Sequence, residues 1–221
     1  RLSEQGYTPC LLNMANAFRA GGGWKNGAHA QEEDLHRRSD LHHHLEEQVR
    51  AGIVHYPIPE FGGLVSTGVT FFRGECKEGY AFEATYSCDV VSAAAYDLGH
   101  SDESRWRHLV TGDKVPNRAF IEGMQTKIRT VMRLGRWRGR QNDAIVLAAW
   151  GCGAFRNPPE VVASIFKDVL SEQSIVGLYR KVVFACLDDA NGANFTPFYG
   201  ILNENSEKYR TLGPGQKTLT E

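Results

Sequence analysis

The chain alternates short apolar runs with longer stretches in which apolar residues return at helical spacing. Residues 1–9 read as the end of a helix followed by a turn, and residues 10–14 as the first strand. Leu41, Leu45 and Val49 recur every four positions, which predicts a helix over residues 31–51, stopped by Gly52. Residues 53–68 are rich in proline and glycine and read as loop, and residues 69–72 as a short strand. Residues 75–87 read as another loop, with Tyr80, Phe82 and Tyr86 among polar neighbours, and residues 90–96 as a buried strand. After an irregular polar stretch over 99–117, Phe120, Met124, Ile128 and Val131 share one face of a helix predicted over 118–137. The continuous apolar run 145–150 has the mark of a central strand covered on both faces. Asn157, Pro158 and Pro159 open a helix that runs to residue 170, with Val161, Ile165 and Val169 turned inward. A third core strand spans 182–187, a short helix 194–202, and a loose polar tail 203–221.

Strands alternating with helices indicate an α/β sandwich. The unit of strand, glycine-rich loop and helix occurs twice, at residues 11–49 and 145–170. Both loops would lie beyond the carboxyl ends of strands, where such folds bind ligands. In the first unit Asn16 ends the strand and can hydrogen-bond a sugar hydroxyl. Gly21, Gly22 and Gly23 have no Cβ and let the backbone come close to a phosphate-bearing ligand. After a seven-residue spacer, Gln31, Glu32 and Glu33 bring carboxylates to the head of a helix. Read alone, three glycines also suit an ordinary turn, and two glutamates also suit a helix N-terminus through the macrodipole. The run is not a P-loop, because no Gly-Lys-Ser/Thr follows, and it lacks the G-x-G-x-x-G fingerprint.

Composition narrows the classes. The 221 residues, 42% hydrophobic and 10% aromatic, suit one domain with a sizeable core. With 25 basic and 26 acidic residues the chain lacks the basic excess of a general nucleic-acid binder. A polyanionic ligand would then be held by local geometry rather than by a broad field. No apolar run approaches the ~18 residues of a membrane span, and no secretory signal is visible. Cys10, Cys76, Cys88, Cys152 and Cys186 are odd in number and form no C-x-x-C. They imply a reducing, intracellular setting (cytoplasmic or nuclear), no disulfide framework and no zinc site. His42, His43 and His44 are consecutive and cannot share one helix face, so they, with His29 and His36, read as a solvated face rather than metal ligands. The basic cluster from Arg136 to Arg140 reads as a solvated helix end.

Three glycines, a seven-residue spacer and Gln-Glu-Glu resemble the signature of microbial-type poly(ADP-ribose) glycohydrolases, a branch of the macrodomain fold. A second run, Trp150, Gly151, Cys152, Gly153, Ala154 and Phe155, resembles that family's other ligand loop. The resemblance covers roughly residues 10–200. It implies a macrodomain-like three-layer α/β/α sandwich with a mixed central sheet. The catalytic domain would span residues 1–202, lacking the family's first strand, with 203–221 as its tail. It implies hydrolysis of ribose–ribose bonds in poly(ADP-ribose) from the chain end, with ADP-ribose as product, by a monomer that needs no metal or organic cofactor.

The resemblance also assigns residues. Glu33 is the general acid and base, and Glu32 holds a ribose hydroxyl beside the scissile bond. Two carboxylates across a cleft, about 5 to 9.5 Å apart, are the usual glycosidase arrangement. Adjacent residues on a helix diverge by about 100° and cannot supply it. In the family the substrate's own diphosphate stabilises the transition state instead. Asn16 and Phe155 set the ribose, while Gly21, Gly22 and Gly23 on one side and Gly151, Cys152, Gly153 and Ala154 on the other hold the diphosphate, and Gln31 is a further substrate-binding residue. Phe155 alternatively reads as core. Phe195, with Asn194 as a weaker companion, is the candidate to stack on adenine, with Phe198 as the alternative. Two rival readings stay open at this point: an ADP-ribose reader without turnover, and a hydrolase of other ADP-ribosyl linkages on proteins.

Overall fold

The computed structural model describes residues 2–99, 106–113, 115–139, 141–187, 193–203, 209–211 and 216–220. Strands β1 (Pro9–Met14), β2 (Leu64–Arg73), β3 (Phe82–Ala93), β4 (Ala144–Leu147) and β5 (Lys181–Leu187) build a mixed sheet in the order β2-β3-β1-β4-β5. β3, β1, β4 and β5 run parallel; β2 is antiparallel to β3. The helices are α1 (Gln31–Arg38), α2 (Gln48–Arg50), α3 (Arg118–Leu134), α4 (Pro159–Leu170) and α5 (Phe195–Leu202).

Side chains alternate across each strand, so neighbours in sequence serve opposite faces. Cys10, Leu12 and Val91 enter the main core with α3, α4 and α5. Leu11 and Val90 enter a second cluster with Leu35 of α1, Leu41 and Leu45. Helices thus cover both faces, and the fold is the expected three-layer sandwich, of macrodomain type. The predicted face of α3 is buried, and the Asn117 side chain caps that helix by accepting from the N–H of Ala119 (2.9 Å). α4 starts on Pro159 as expected, although it buries Val162 more deeply than Val161. Among the described residues no helix is long and apolar enough to cross a membrane.

The helix predicted over 31–51 is broken. α1 ends at Ser39, whose backbone is extended (φ −143°, ψ 176°) and bridges Phe71 of β2. Asp40 continues the interruption, exchanging hydrogen bonds with Thr70. The chain then re-enters a π-helical turn, His43–Glu47, before α2. Leu41 and Leu45 are buried, but Val49 is exposed, because the four-residue period was read through a break.

Two further expectations are corrected. Residues 64–68 and 82–87, expected as loop, belong to the β2–β3 hairpin, paired from Leu64↔Ser92 to Arg73↔Phe82. All of 82–87, Phe82 and Tyr86 included, is exposed, so neither face is buried there and no apolar alternation marks a strand. The tail from 203 is not loose throughout: β6 (Tyr209–Thr211) and β7 (Gln216–Thr220) extend the sheet antiparallel beyond β5. Elsewhere the strand expected over 90–96 ends at Ala93, and the run 145–150 is strand only through Leu147. Arg140 of the expected basic cluster, residues 100–105 and Lys114 of the irregular stretch, and residues 204–208, 212–215 and 221 of the tail lie outside the described residues.

Candidate active site

β1, β4 and β5 are neighbours in a parallel array, so the segments that follow them leave the same edge of the sheet. The first glycine loop follows β1, the second follows β4, and α5 follows β5. This topology collects the predicted ligand-binding residues, which the sequence scatters over 180 positions, at one edge.

Glu32 is the structural centre of the first loop. It is only 3% exposed. Its Oε2 accepts from the Asn16 N–H (2.7 Å), and its Oε1 from the Gly21 N–H (3.2 Å) and the Asn13 side-chain amide (3.3 Å). Asn13 is itself held by Ser92 Oγ (3.0 Å). A carboxylate offers about four acceptor sites, so one remains for a ribose hydroxyl. Burial pushes the Glu32 carboxyl up to about 7, helped by the neighbouring Glu33 charge and opposed by the Asn16 and Asn13 hydrogen bonds.

Glu33 is arranged differently. Its Oε1 accepts from the Gly23 N–H (3.0 Å), while Oε2 is buried and has no hydrogen-bond partner among the described residues. The glycines answer to this packing. Gly22 has φ +56°, and a Cβ there would lie 2.4 Å from Glu33 Oε1 and 3.1 Å from Glu32 Oε2. Gly21 has φ +73°, and its Cβ would strike Trp24 and His36 within 2.8 Å. The glycines are required first by the side chains beneath the loop. Behind them His36 Nδ1 donates to the Glu32 carbonyl (2.8 Å), and burial lowers the pKa of the ring.

Two of the expected ligand contacts also hold the scaffold. Gln31 commits both amide atoms to β1, donating to the Leu12 carbonyl (2.7 Å) and accepting from the Met14 N–H (2.8 Å). It anchors α1 to the strand end. Asn16 folds its Oδ1 over its own turn, accepting from the N–H groups of Phe18 (2.8 Å) and Arg19 (3.1 Å). That leaves its amide NH2 as the donor for a sugar.

The second loop turns at Gly151 (φ +79°), where a Cβ would meet Asn157 Nδ2 at 2.3 Å. The Arg156 N–H donates to Gly153 O (2.9 Å), and the N–H groups of Leu98 and Gly99 donate to Phe155 O (both 3.0 Å), which clamps the loop. Gly153 and Ala154 are exposed. Cys152 turns its thiol toward the Trp150 carbonyl, and burial pushes its pKa well up, so it is no nucleophile. Phe155 is half-buried against the main core. Asn194 occupies the N-cap position of α5, and Phe195 sits half-buried against Tyr199, their ring centroids 5.3 Å apart. Phe198 is fully buried between Phe166 and Phe184 and is core.

The catalytic-domain model of microbial-type poly(ADP-ribose) glycohydrolase matches residues 1–73. The poly(ADP-ribose) glycohydrolase of Deinococcus radiodurans, solved with ADP-ribose, superposes with a TM-score of 0.74 at 28% identity, over 93% of this chain and 79% of that one. The fold and the signature are those of the microbial-type poly(ADP-ribose) glycohydrolases. The enzyme of Thermomonospora curvata is similar at 28% identity over 91% of this chain and 69% of its own, with a TM-score of 0.68. The form of that enzyme bound to the inhibitor ADP-HPD gives 29% identity over 91% of this chain and 72% of its own, with a TM-score of 0.69. No curated protein sequence matches the chain. Within this glycohydrolase frame, sequence reasoning missed Asn13 and Tyr56. Asn13 had a signal, an amide inside the apolar run Leu11–Leu12–Asn13–Met14. Tyr56, which faces the Glu32 charge with a buried, unpartnered hydroxyl, had none in its proline-rich loop. Among the described residues no group of three His, Cys, Asp or Glu side chains is placed to hold a metal.

Proposed function

We propose that the chain is a poly(ADP-ribose) glycohydrolase that hydrolyses ribose–ribose O-glycosidic bonds and releases ADP-ribose, with Glu33 as general acid and base. The observation that carries the catalytic assignment is the Glu33 carboxylate. The Gly23 N–H holds one oxygen, and the other has no hydrogen-bond partner among the described residues. A carboxyl group fixed at one oxygen and unpaired at the other can give and take a proton at a defined point once substrate reaches it.

In the first half of the reaction, protonated Glu33 donates to the leaving ribose oxygen as its bond to the anomeric carbon breaks. In the second half, the Glu33 carboxylate takes a proton from water as the water oxygen bonds to that carbon. Glu32 positions the loop through its three donors and accepts a ribose hydroxyl at its remaining site. The substrate diphosphate, lodged between the two loops, offsets the positive charge that develops on the sugar. The same reading has the enzyme working as a monomer inside the cell on poly(ADP-ribose), free or attached to proteins.

The test is release of ADP-ribose from defined poly(ADP-ribose), followed by chromatography, for the parent protein and for Glu33→Gln. The parent releases product, and the variant loses turnover at least about 10²-fold while still binding ADP-ribose. A variant that retains turnover removes Glu33 from its role. A parent that binds ADP-ribose and releases nothing is a reader.

A further inference from the structure

A cleft of about 410 Å³ opens beside Gly22. It holds none of the second-loop residues. Its far wall comes from the π-helical turn and α2, which lie on the β2 side of β1, whereas the second loop lies on the β4 side. The cleft therefore continues from the catalytic loop in the direction away from the second loop.

Its lining pairs rings with cations. Phe18, Trp24 and Tyr56 supply three aromatic side chains. Phe18 is 60% exposed, and the Tyr56 hydroxyl is buried without a partner. Arg19, Lys25 and Arg50 face a single carboxylate, Glu46, which pairs with Lys25 (2.5 Å) and Arg50 (3.7 Å). This local positive excess stands out on a chain whose net charge is −1. Interleaved aromatic and basic groups suit a nucleotide, with stacking for its base and cations for its phosphates.

Resting on the glycohydrolase reading, we propose that this cleft is the subsite for the ADP-ribose unit on the far side of the scissile bond, the unit that retains the leaving oxygen. That oxygen belongs to the adenosine ribose of the next unit. Its adenine lies within reach of Phe18 and Tyr56, and its diphosphate meets Arg19, Lys25 and Arg50. The subsite gives the enzyme a grip on polymer beyond its grip on the released product.

The experiment compares two substrates for Phe18→Ala and Arg19→Ala, both exposed side chains. One substrate is poly(ADP-ribose). The other is ADP-ribose with a nitrophenyl group on its distal anomeric carbon, which leaves the subsite empty. Each variant should raise KM for polymer about tenfold, the effect of losing one stacked base or phosphate contact. Cleavage of the nitrophenyl substrate should stay within about twofold of the parent. Equal losses on both substrates, or no change on either, overturn the proposal. Failure of the glycohydrolase reading looks different, since the parent itself would then release ADP-ribose from neither substrate, and this inference falls with it.

Discussion

Gly22→Ala tests the link between loop geometry and the Glu33 carboxylate. The new Cβ would lie 2.4 Å from Glu33 Oε1, against an ordinary contact of 3.4 Å. The carboxylate must therefore retreat by about 1 Å, and the 3.0 Å bond from the Gly23 N–H is lost. Misplacement on that scale costs on the order of 10²-fold in rate. The left-handed backbone (φ +56°) adds strain of roughly 1–2 kcal/mol, independent of the clash. Gly27→Ala separates the two effects. Gly27 has φ +82°, but a Cβ there meets nothing within 4 Å. Both variants should be destabilised by a similar ~1–2 kcal/mol in chemical denaturation, and only Gly22→Ala should lose about 10²-fold in turnover of poly(ADP-ribose). Comparable turnover in the two variants would refute the argument that Gly22 is glycine because of the carboxylate beneath it.

Other perturbations probe the scaffold. Gln31→Ala removes both bonds to β1 and should destabilise the fold by about 2 kcal/mol in urea titration. Phe198→Ala should destabilise by about 3–5 kcal/mol, because the ring is fully buried; Phe195→Ala, which removes a ring that is only half-buried, should cost about 1–2 kcal/mol and weaken ADP-ribose binding about tenfold by calorimetry. Glu32 titrates with a raised folded-state pKa, so the stability it contributes is full below the unfolded value of 4.5 and is lost as pH rises through about 7. His36, with a lowered pKa, tilts stability the other way, so the measurement is the difference between parent and Glu32→Gln. Relative to the variant, the parent should lose up to about 3 kcal/mol between pH 4.5 and pH 7.5 in denaturant titrations.

The three core strands, the two long helices α3 and α4, and both ligand loops were legible in the sequence. Their signals are local: continuous apolar runs, a single buried helix face, and glycines at fixed spacing from carboxylates. Where one face of an element meets no core, as in the outer β2–β3 arms around Phe82 and Tyr86, no pattern records it. The break at Ser39 was hidden for a related reason, since a bridge to Phe71 decides it and the two residues lie 32 positions apart. Side-chain types at the site were equally plain, but their jobs were not. Gln31 and Glu32 look like ligand groups in sequence, and only packing shows that three buried donors and a strand end already claim them. The sequence alone determined which chemistry the chain carries, because a motif names its functional groups. The tertiary structure decided which oxygen is left without a hydrogen bond, because hydrogen-bond saturation is settled by neighbours distant in the chain.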